Sequence, residues 1–382
     1  MRDCSGLKLA PTHLLVHFSK GQLRRRSRFI ADENNSYDQI KERWYKGQTK
    51  PPAQTKLSHD VKVALANSDG KIVDYSYRPF LTASLVLDSN LMDALRKTPG
   101  GGMRERPEVQ AAYADEGVFG FAVAPAPADI CPVIKKFSSF CWNIPDNDLA
   151  TRGNAHIFCN RFPDYKSAKD WSNKPVNNIN EILLEELSKK IDYSKDELVD
   201  KIVFYAYGSL NSEFYMKSFE GKLHTVAGEW ASIPITADKS LFDSMVLVGK
   251  AMANIERKDY RIEDNSILSI FDKSLIQNYS ESEIHGYIFS NNKIELLDIH
   301  KSIVFAVPVA EEVVNFEVSG YNVVREWLKY HSYAYYRKTC DVSDIRDLLC
   351  LIIRISEYIK QVNCSDKIMK EILVNELIKP IT

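Results

Sequence analysis

Between Ile202 and Phe219 the chain reads IVFYAYGSLNSEFYMKSF, with Phe204, Tyr205, Tyr207, Phe214, Tyr215 and Phe219 set around a single Gly208. At helical spacing Phe204, Tyr207 and their apolar neighbours fall on one face. Such a stripe reads as packing rather than as a base-stacking platform. It belongs to a chain of 382 residues, too long for one small core and of a length that suggests two or three domains.

The composition, 45% hydrophobic and 26% charged, is that of a soluble globular protein. The formal net charge is −1, so no global field draws the chain to nucleic acid. Any such contact must use a local basic patch. The seven cysteines lie far apart without a C-x-x-C pair, which fits a reducing compartment, a cytoplasmic location and no structural zinc. The start, MRDCSGLKLAP, lacks an apolar signal core, and no apolar run is long enough to span a membrane. The longest run, DLLCLIIRI, carries Arg354 and reads as a buried helix.

Local signals divide the chain. HLLVHF (residues 13–18) reads as a short buried strand. Ser19 with Gln22, and Ser36 with Gln39, read as capping boxes opening two helices, the second stopped by Gly47. A polar linker over 48–57 and a helix over 60–66 follow. Strand-like segments then occupy KIVDYSYRPF and residues 82–88, 118–124, 137–144 and 155–162. From residue 179 the pattern turns helical: 179–190, 194–210 (with a third capping box at Ser194 and Glu197), a helix carrying Phe214 and Tyr215, and 241–255. A hairpin about Asn291-Asn292, a strand in VVNFEVSGY, and helices near 322–331, 343–362 and 366–378 complete the chain. The expected fold class is α/β in the mixed α+β sense. Residues 1–190 form a sheet-bearing unit with N-terminal helices, and residues 191–382 a mainly helical unit with a small hairpin.

Catalytic motifs are missing. The triple glycine at 100–102 is followed by Met103 and Arg104, so no phosphate-wrapping lysine loop forms, and the dinucleotide, H-E-x-x-H and G-x-S-x-G patterns do not occur. Asn143-Ile144-Pro145-Asp146 has only the outline of an amino-methyltransferase motif. One enzyme alternative remains: Asp146, Asp164 and Lys166 match the loose pattern of a small Mg²⁺-dependent nuclease, provided Asp164 and Lys166 lie on a core strand.

The sharpest charge feature is KGQLRRRSRF, in which Lys20, Arg24, Arg25, Arg26 and Arg28 occur without an acid. On a helix Arg24 and Arg28 share a face, Arg25 flanks it, and Leu23 and Ile30 lie on the buried side. The stretch reads as a row of phosphate contacts, a solvated face, or a surface docking an acidic partner domain in a non-catalytic protein-binding scaffold. In YSYRPF, Pro79 forces Arg78 into an extended backbone beside Tyr77, fixing one guanidinium to clamp a phosphate, read a guanine edge or pair with a buried carboxylate. Further cations fall on expected loops: Arg104, Arg106, Lys135, Lys136, Arg152 and Arg161.

Three blocks in order carry a resemblance: Tyr77-Arg78-Pro79-Phe80; the 202–219 stretch followed by ASIP, LF and GKAMA; and EEVVNFEVSGYNVVREWLKY followed by a helical tail. Together they resemble the C-terminal target-recognition region of type ISP restriction–modification enzymes and related single-chain restriction–methyltransferases, over about residues 13–362. Tyr205, Tyr207, Gly208, Leu210, Ser212 and Tyr215 stand at that family's second motif, and Gly320-Tyr321 with Trp327-Leu328-Lys329 at its third. The chain departs from the pattern where Leu81, Thr82 and Ala83 follow the first block in place of an aspartate and a basic residue, where ASIP lacks a basic residue, and where Asn211 replaces a histidine.

The resemblance implies double-stranded DNA recognition without catalysis of its own, in a cleft between the two halves. Arg24, Arg25, Arg28, Tyr77, Arg78, Arg104, Arg106, Arg152 and Arg161 are the candidate DNA contacts, with loops 98–107 and 145–161 reaching base edges. It also implies methyltransferase and helicase/nuclease domains or subunits as partners. S-adenosylmethionine, ATP and Mg²⁺ would be held by them, with no cofactor in this chain.

Overall fold

The computed structural model describes Met1 to Ile378 apart from residues 2, 47–50, 100–103, 105, 125–135, 151–154, 164–174, 220–231, 261, 263–270, 272–275 and 337–338. Where a helix start is written locally, the structure follows it. Ser36 and Ser194 form complete capping boxes with Gln39 and Glu197, opening the helices Tyr37–Tyr45 and Lys195–Leu210. Ser19 caps Lys20–Ala31 by accepting from the Gln22 N–H, but its own N–H donates to His17 Nδ1 (2.9 Å) in place of the glutamine return bond. HLLVHF differs from the expected strand. Thr12–Leu15 is a helical turn and only Val16–His17 is extended, its length set by pairing with Leu85 and Ser84 across the sheet. Gly47 and most of the expected linker's first residues lie outside the described residues; Gln54–Lys56 within it form a 3₁₀ turn.

Two four-stranded sheets occupy the first half. One runs Cys4–Ser5, His156–Cys159, Gly120–Val123, Ser138–Cys141, antiparallel throughout. The other runs Val16–His17, Leu81–Val86, Ile72–Arg78, Ile144–Pro145, its last pair parallel. The chain passes from one sheet to the other between Cys141 and Ile144, and again after Ser5, where Leu7 bridges Asp146. Gly6 sits at that crossing. A Cβ there would lie 2.5 Å from the Asp146 carbonyl carbon, so only glycine lets the two backbones meet.

In the second half Lys195–Leu210 packs on Lys239–Ile255, and both pack on Val342–Ile372. The crossing of the first two is made by glycines: a Cβ on Gly249 would fall 1.9 Å from the Phe204 carbonyl oxygen. Val342–Ile372 is one helix of 31 residues, where the sequence reading has two, near 343–362 and 366–378. The polar groups serve neighbouring elements instead. Ser365 Oγ donates to the Gly208 carbonyl (2.8 Å), and Asp366 accepts from the Ser212 hydroxyl (2.7 Å) and the Phe214 N–H (3.0 Å) at the start of Glu213–Ser218. Asn291 and Asn292, both at positive φ (46° and 57°), turn the expected hairpin, which Ile303–Pro308 extends to a three-stranded sheet. VVNFEVSGY forms a helical turn, Glu311–Val314, and a small hairpin, Glu317–Val318 with Tyr321–Asn322, rather than one strand.

The fold is mixed α/β. A continuous hydrophobic core extends from Cys4 to Ile372. Contacts cross residue 190 directly: Phe119 stacks on Phe204 at 4.9 Å, and Trp142 Nε1 donates to the Ala253 carbonyl (2.7 Å). Among the described residues no helix is long and apolar enough to cross a membrane.

Gly249→Ala is expected to lower unfolding free energy by at least about 2 kcal/mol, towards the upper end of overpacking effects, as read from denaturant midpoints. An unchanged midpoint would contradict the backbone contact between the two helices.

Candidate functional site

The cationic stretch of the Lys20–Ala31 helix divides by helical angle. Leu23, Arg26, Ser27 and Ile30 face inward. Arg26 is 1% exposed, and its Nη2 donates to the Val16 carbonyl at 2.9 Å, closing the strand end beneath the helix. It is a fold residue. On the outer face Arg28 pairs with Asp69 and Lys20 with Asp74 at 3.1 Å. Arg24 and Arg25 are exposed and make no ion pair among the described residues.

Tyr77 and Arg78 lie inside. Arg78 Nη1 donates to Asp146 Oδ1 at 2.9 Å, and its guanidinium carbon stands 4.1 Å over the Tyr77 ring and 5.3 Å from that of Tyr321. Asp146 also accepts from the Tyr75 hydroxyl (2.5 Å) and the Asp148 N–H (2.8 Å). Burial pushes the Asp146 carboxyl upward, opposed by Arg78 and these hydrogen bonds. Of the three roles open to Arg78 in the sequence, the structure contains the buried-carboxylate pair. The same geometry commits Asp146 to protein partners and weakens the nuclease alternative. Asp164 and Lys166 lie outside the described residues. Among the described residues, no group of three or more His, Cys, Asp and Glu side chains is placed to hold a metal ion.

Arg161 reaches Asp200 (3.2 Å) and the Gly117 carbonyl (3.2 Å). Arg106 is half-buried at the start of Pro107–Ala112 with φ 48°. Arg104 is exposed and bridges Lys8 through the backbone. Lys136 lies over the rings of Phe316 (4.5 Å) and Tyr358 (5.1 Å), and burial lowers its ammonium to about 8. Arg152 and Lys135 lie outside the described residues, as do parts of both loops expected to reach bases. The structure thus leaves Arg24, Arg25 and Arg104 open to solvent and engages Arg28, Arg78 and Arg161 with carboxylates.

Beneath this surface the three sequence blocks converge on one buried network. Glu256 ends the GKAMA helix and accepts from Ser139 Oγ (2.7 Å), the Phe140 N–H (3.2 Å) and the Tyr207 hydroxyl. Tyr207 also meets the Tyr358 hydroxyl at 2.8 Å. Arg354 Nε donates to the Ile255 carbonyl (2.6 Å) and Nη2 to the Phe80 carbonyl (3.5 Å). Phe80, at φ 64°, packs its ring edge-on against Phe316 (5.5 Å) and Tyr358 (5.1 Å). Phe80 comes from the first block, Tyr207 from the second and Phe316 from the third.

Residues 3–360 match the family described as the Type ISP C-terminal specificity domain. The chain belongs to this family. Comparison with curated protein sequences finds no match. Among solved structures the chain is similar to the ATP-dependent Type ISP restriction-modification enzyme LlaBIII bound to DNA (TM-score 0.57, 13% identity, 95% of this chain and 23% of that one). It is also similar to the DrdV–DNA complex (0.56, 12%, 95% and 35%) and to a nuclease-deletion mutant of the Type ISP enzyme LlaGI in complex with a DNA substrate mimic (0.54, 14%, 99% and 33%). At these identities the likeness is one of fold, and the chain spans only about a quarter to a third of each of those polypeptides.

In this light the signature of the specificity domain is read as architecture. Asn211, in the histidine's place, donates to Ser138 Oγ and the Tyr207 carbonyl (both 2.9 Å). The carboxylate beside Arg78 comes from Asp146 rather than from the residue after Phe80. Sequence reasoning had not singled out Glu256 or Lys8, whose partners lie far along the chain. A charge inside an apolar run was the available signal for the network, and it was present at Arg354.

Arg78→Ala is expected to lower unfolding free energy by about 3–5 kcal/mol, the range for breaking a buried pair, and the double variant with Asp146→Asn to lose less than the sum of the singles. Additive losses in that thermodynamic cycle would contradict a direct pair. A second expectation concerns pH. Burial raises the Glu256 carboxyl to about 8 against the pull of Ser139, the Phe140 N–H and Arg354. A folded value above the unfolded one near about 4.3 means stability is full below that range and is lost as pH rises through about 8. Glu256→Gln should flatten the decline, by at most about 1.4 kcal/mol per pH unit; an unaltered pH slope would contradict this.

Proposed function

We propose that this chain recognises a sequence in double-stranded DNA as the specificity part of a type ISP-like restriction–modification system. Adenine methylation and cleavage would be carried out by other domains or subunits, and the chain itself would be non-catalytic. The observation that carries the reading is the match of residues 3–360 to a specificity domain. The fold shared with three solved complexes whose descriptions include DNA or a DNA mimic supports it. S-adenosylmethionine, ATP and Mg²⁺ belong, in this reading, to the partner domains. The thiols at Cys4, Cys141, Cys159 and Cys364 are free, which supports a reducing, cytoplasmic setting.

A chain of net charge −1 must meet a duplex through local charge. Arg24 and Arg25 are suited to that role. Their helix is held in place from below by Arg26 and Leu23, and the neighbouring Lys20 and Arg28 already have carboxylate partners. They contact phosphates and confer no base preference.

Fluorescence anisotropy at low salt should show binding to a duplex, and Arg24→Gln/Arg25→Gln should reduce the slope of log K against log salt by about 1.8, two phosphate contacts at about 0.9 each. Affinity should fall alike for all sequences. A wild-type protein that binds no duplex at any salt contradicts the proposed function. Wild-type binding with an unchanged slope in the variant removes only this helix from the interface.

A further inference from the structure

Lys8 and Arg104 lie nearly a hundred residues apart and exchange both of their backbone hydrogen bonds: Lys8 N–H donates to the Arg104 carbonyl (3.0 Å) and Arg104 N–H to the Lys8 carbonyl (2.8 Å). Two residues that exchange both bonds in an antiparallel bridge project their side chains to the same side, with Cα atoms about 5.5 Å apart. Both are exposed, and neither forms a salt bridge among the described residues. Two like charges set directly opposite each other oppose the pairing that holds them there, and among the described residues no carboxylate forms a salt bridge with either. Elsewhere on this surface the pattern differs: Lys20, Arg28, Lys71 and Arg161 each meet an aspartate.

The bridge is also firmly placed. One residue earlier, Leu7 is fully buried; its N–H donates to the Pro145 carbonyl (2.9 Å), and Asn147 N–H donates back to the Leu7 carbonyl (2.8 Å). Leu7 thereby joins the segment that carries Asp146, the partner of Arg78. Two residues after Arg104, the backbone of Arg106 is left-handed at φ 48°, and its buried Nε has no acceptor among the described residues. The pair therefore stands on a bridge whose Lys8 side is anchored by the Leu7 hydrogen bonds.

We infer that Lys8 and Arg104 form a two-cation phosphate site that grips the DNA backbone, separate from the Arg24–Arg25 helix. The site rests on the reading of this chain as a DNA-recognition domain and extends it: it assigns Lys8, which no sequence motif includes, and gives the duplex a second anchoring point beside the junction of the two sheets. It supplies position and affinity, not base choice.

The test uses the full chain and a labelled duplex of arbitrary sequence. Lys8→Gln/Arg104→Gln should reduce the log K against log salt slope by about 1.8, while the charge-preserving exchange Lys8→Arg/Arg104→Lys should keep it. In the unsubstituted protein, acetylation of the Lys8 amine read by mass spectrometry should be suppressed by the duplex, a measurement independent of how the variants fold. A wild-type slope in the glutamine variant, loss of the slope in the charge-preserving one, or an equally reactive Lys8 with and without duplex each overturns the site and leaves the proposed function standing. A wild-type protein that binds no duplex overturns both.

Discussion

A buried carboxyl group and a buried guanidinium, Glu256 and Arg354, stand where the sheets meet the helices. Glu256 collects donors from Ser139 and Phe140 of one sheet and from Tyr207 of a helix. Arg354 satisfies the carbonyls of Ile255 and Phe80, the latter at the turn that ends a strand of the other sheet. Leaving any member of such a network without its partner in a low-dielectric interior is expensive, so the elements are held in one mutual arrangement. The glycine crossing of the Lys195–Leu210 and Lys239–Ile255 helices brings Tyr207 and Glu256 into this arrangement by allowing the backbones to touch.

That dependence also gathers the sequence blocks. Phe80, Tyr207 and Phe316, drawn from three blocks far apart in sequence, meet around the network, and Tyr77 and Arg78 are taken up by Asp146 and Tyr321. In the proposed function, recognition draws on what surrounds this frame, where Arg24, Arg25, Lys8 and Arg104 are exposed. The frame's part is to fix the backbones that carry them: Arg26 and Leu23 beneath the first pair, and the Leu7–Asp146 bridge beside the second.

How much of this could be read in advance depended on sequence distance. Ser36 with Gln39, Ser194 with Glu197, and Asn291-Asn292 specify their local geometry within four residues, and each was legible. HLLVHF and VVNFEVSGY were not, because apolar runs this short suit strand and helical turn equally and tertiary pairing decides. The expected break between the helices near 343–362 and 366–378 does not occur; Ser365 and Asp366 instead serve neighbouring elements from mid-helix. In the cationic stretch, Arg26 lies three residues after Leu23 and four before Ile30, a spacing that marks an inward position, although the reading of the stretch as a row of phosphate contacts included it. The partners of Arg78 and Lys8 were not, since Asp146 and Arg104 are brought to them only by the crossing of two sheets.

The central proposal is that this chain, by itself, selects a site in duplex DNA. The most direct measurement is selection from a randomised pool of duplexes by the purified chain at low salt, followed by sequencing of the bound fraction. The account predicts enrichment of one asymmetric sequence. A bound fraction with the composition of the starting pool would contradict it.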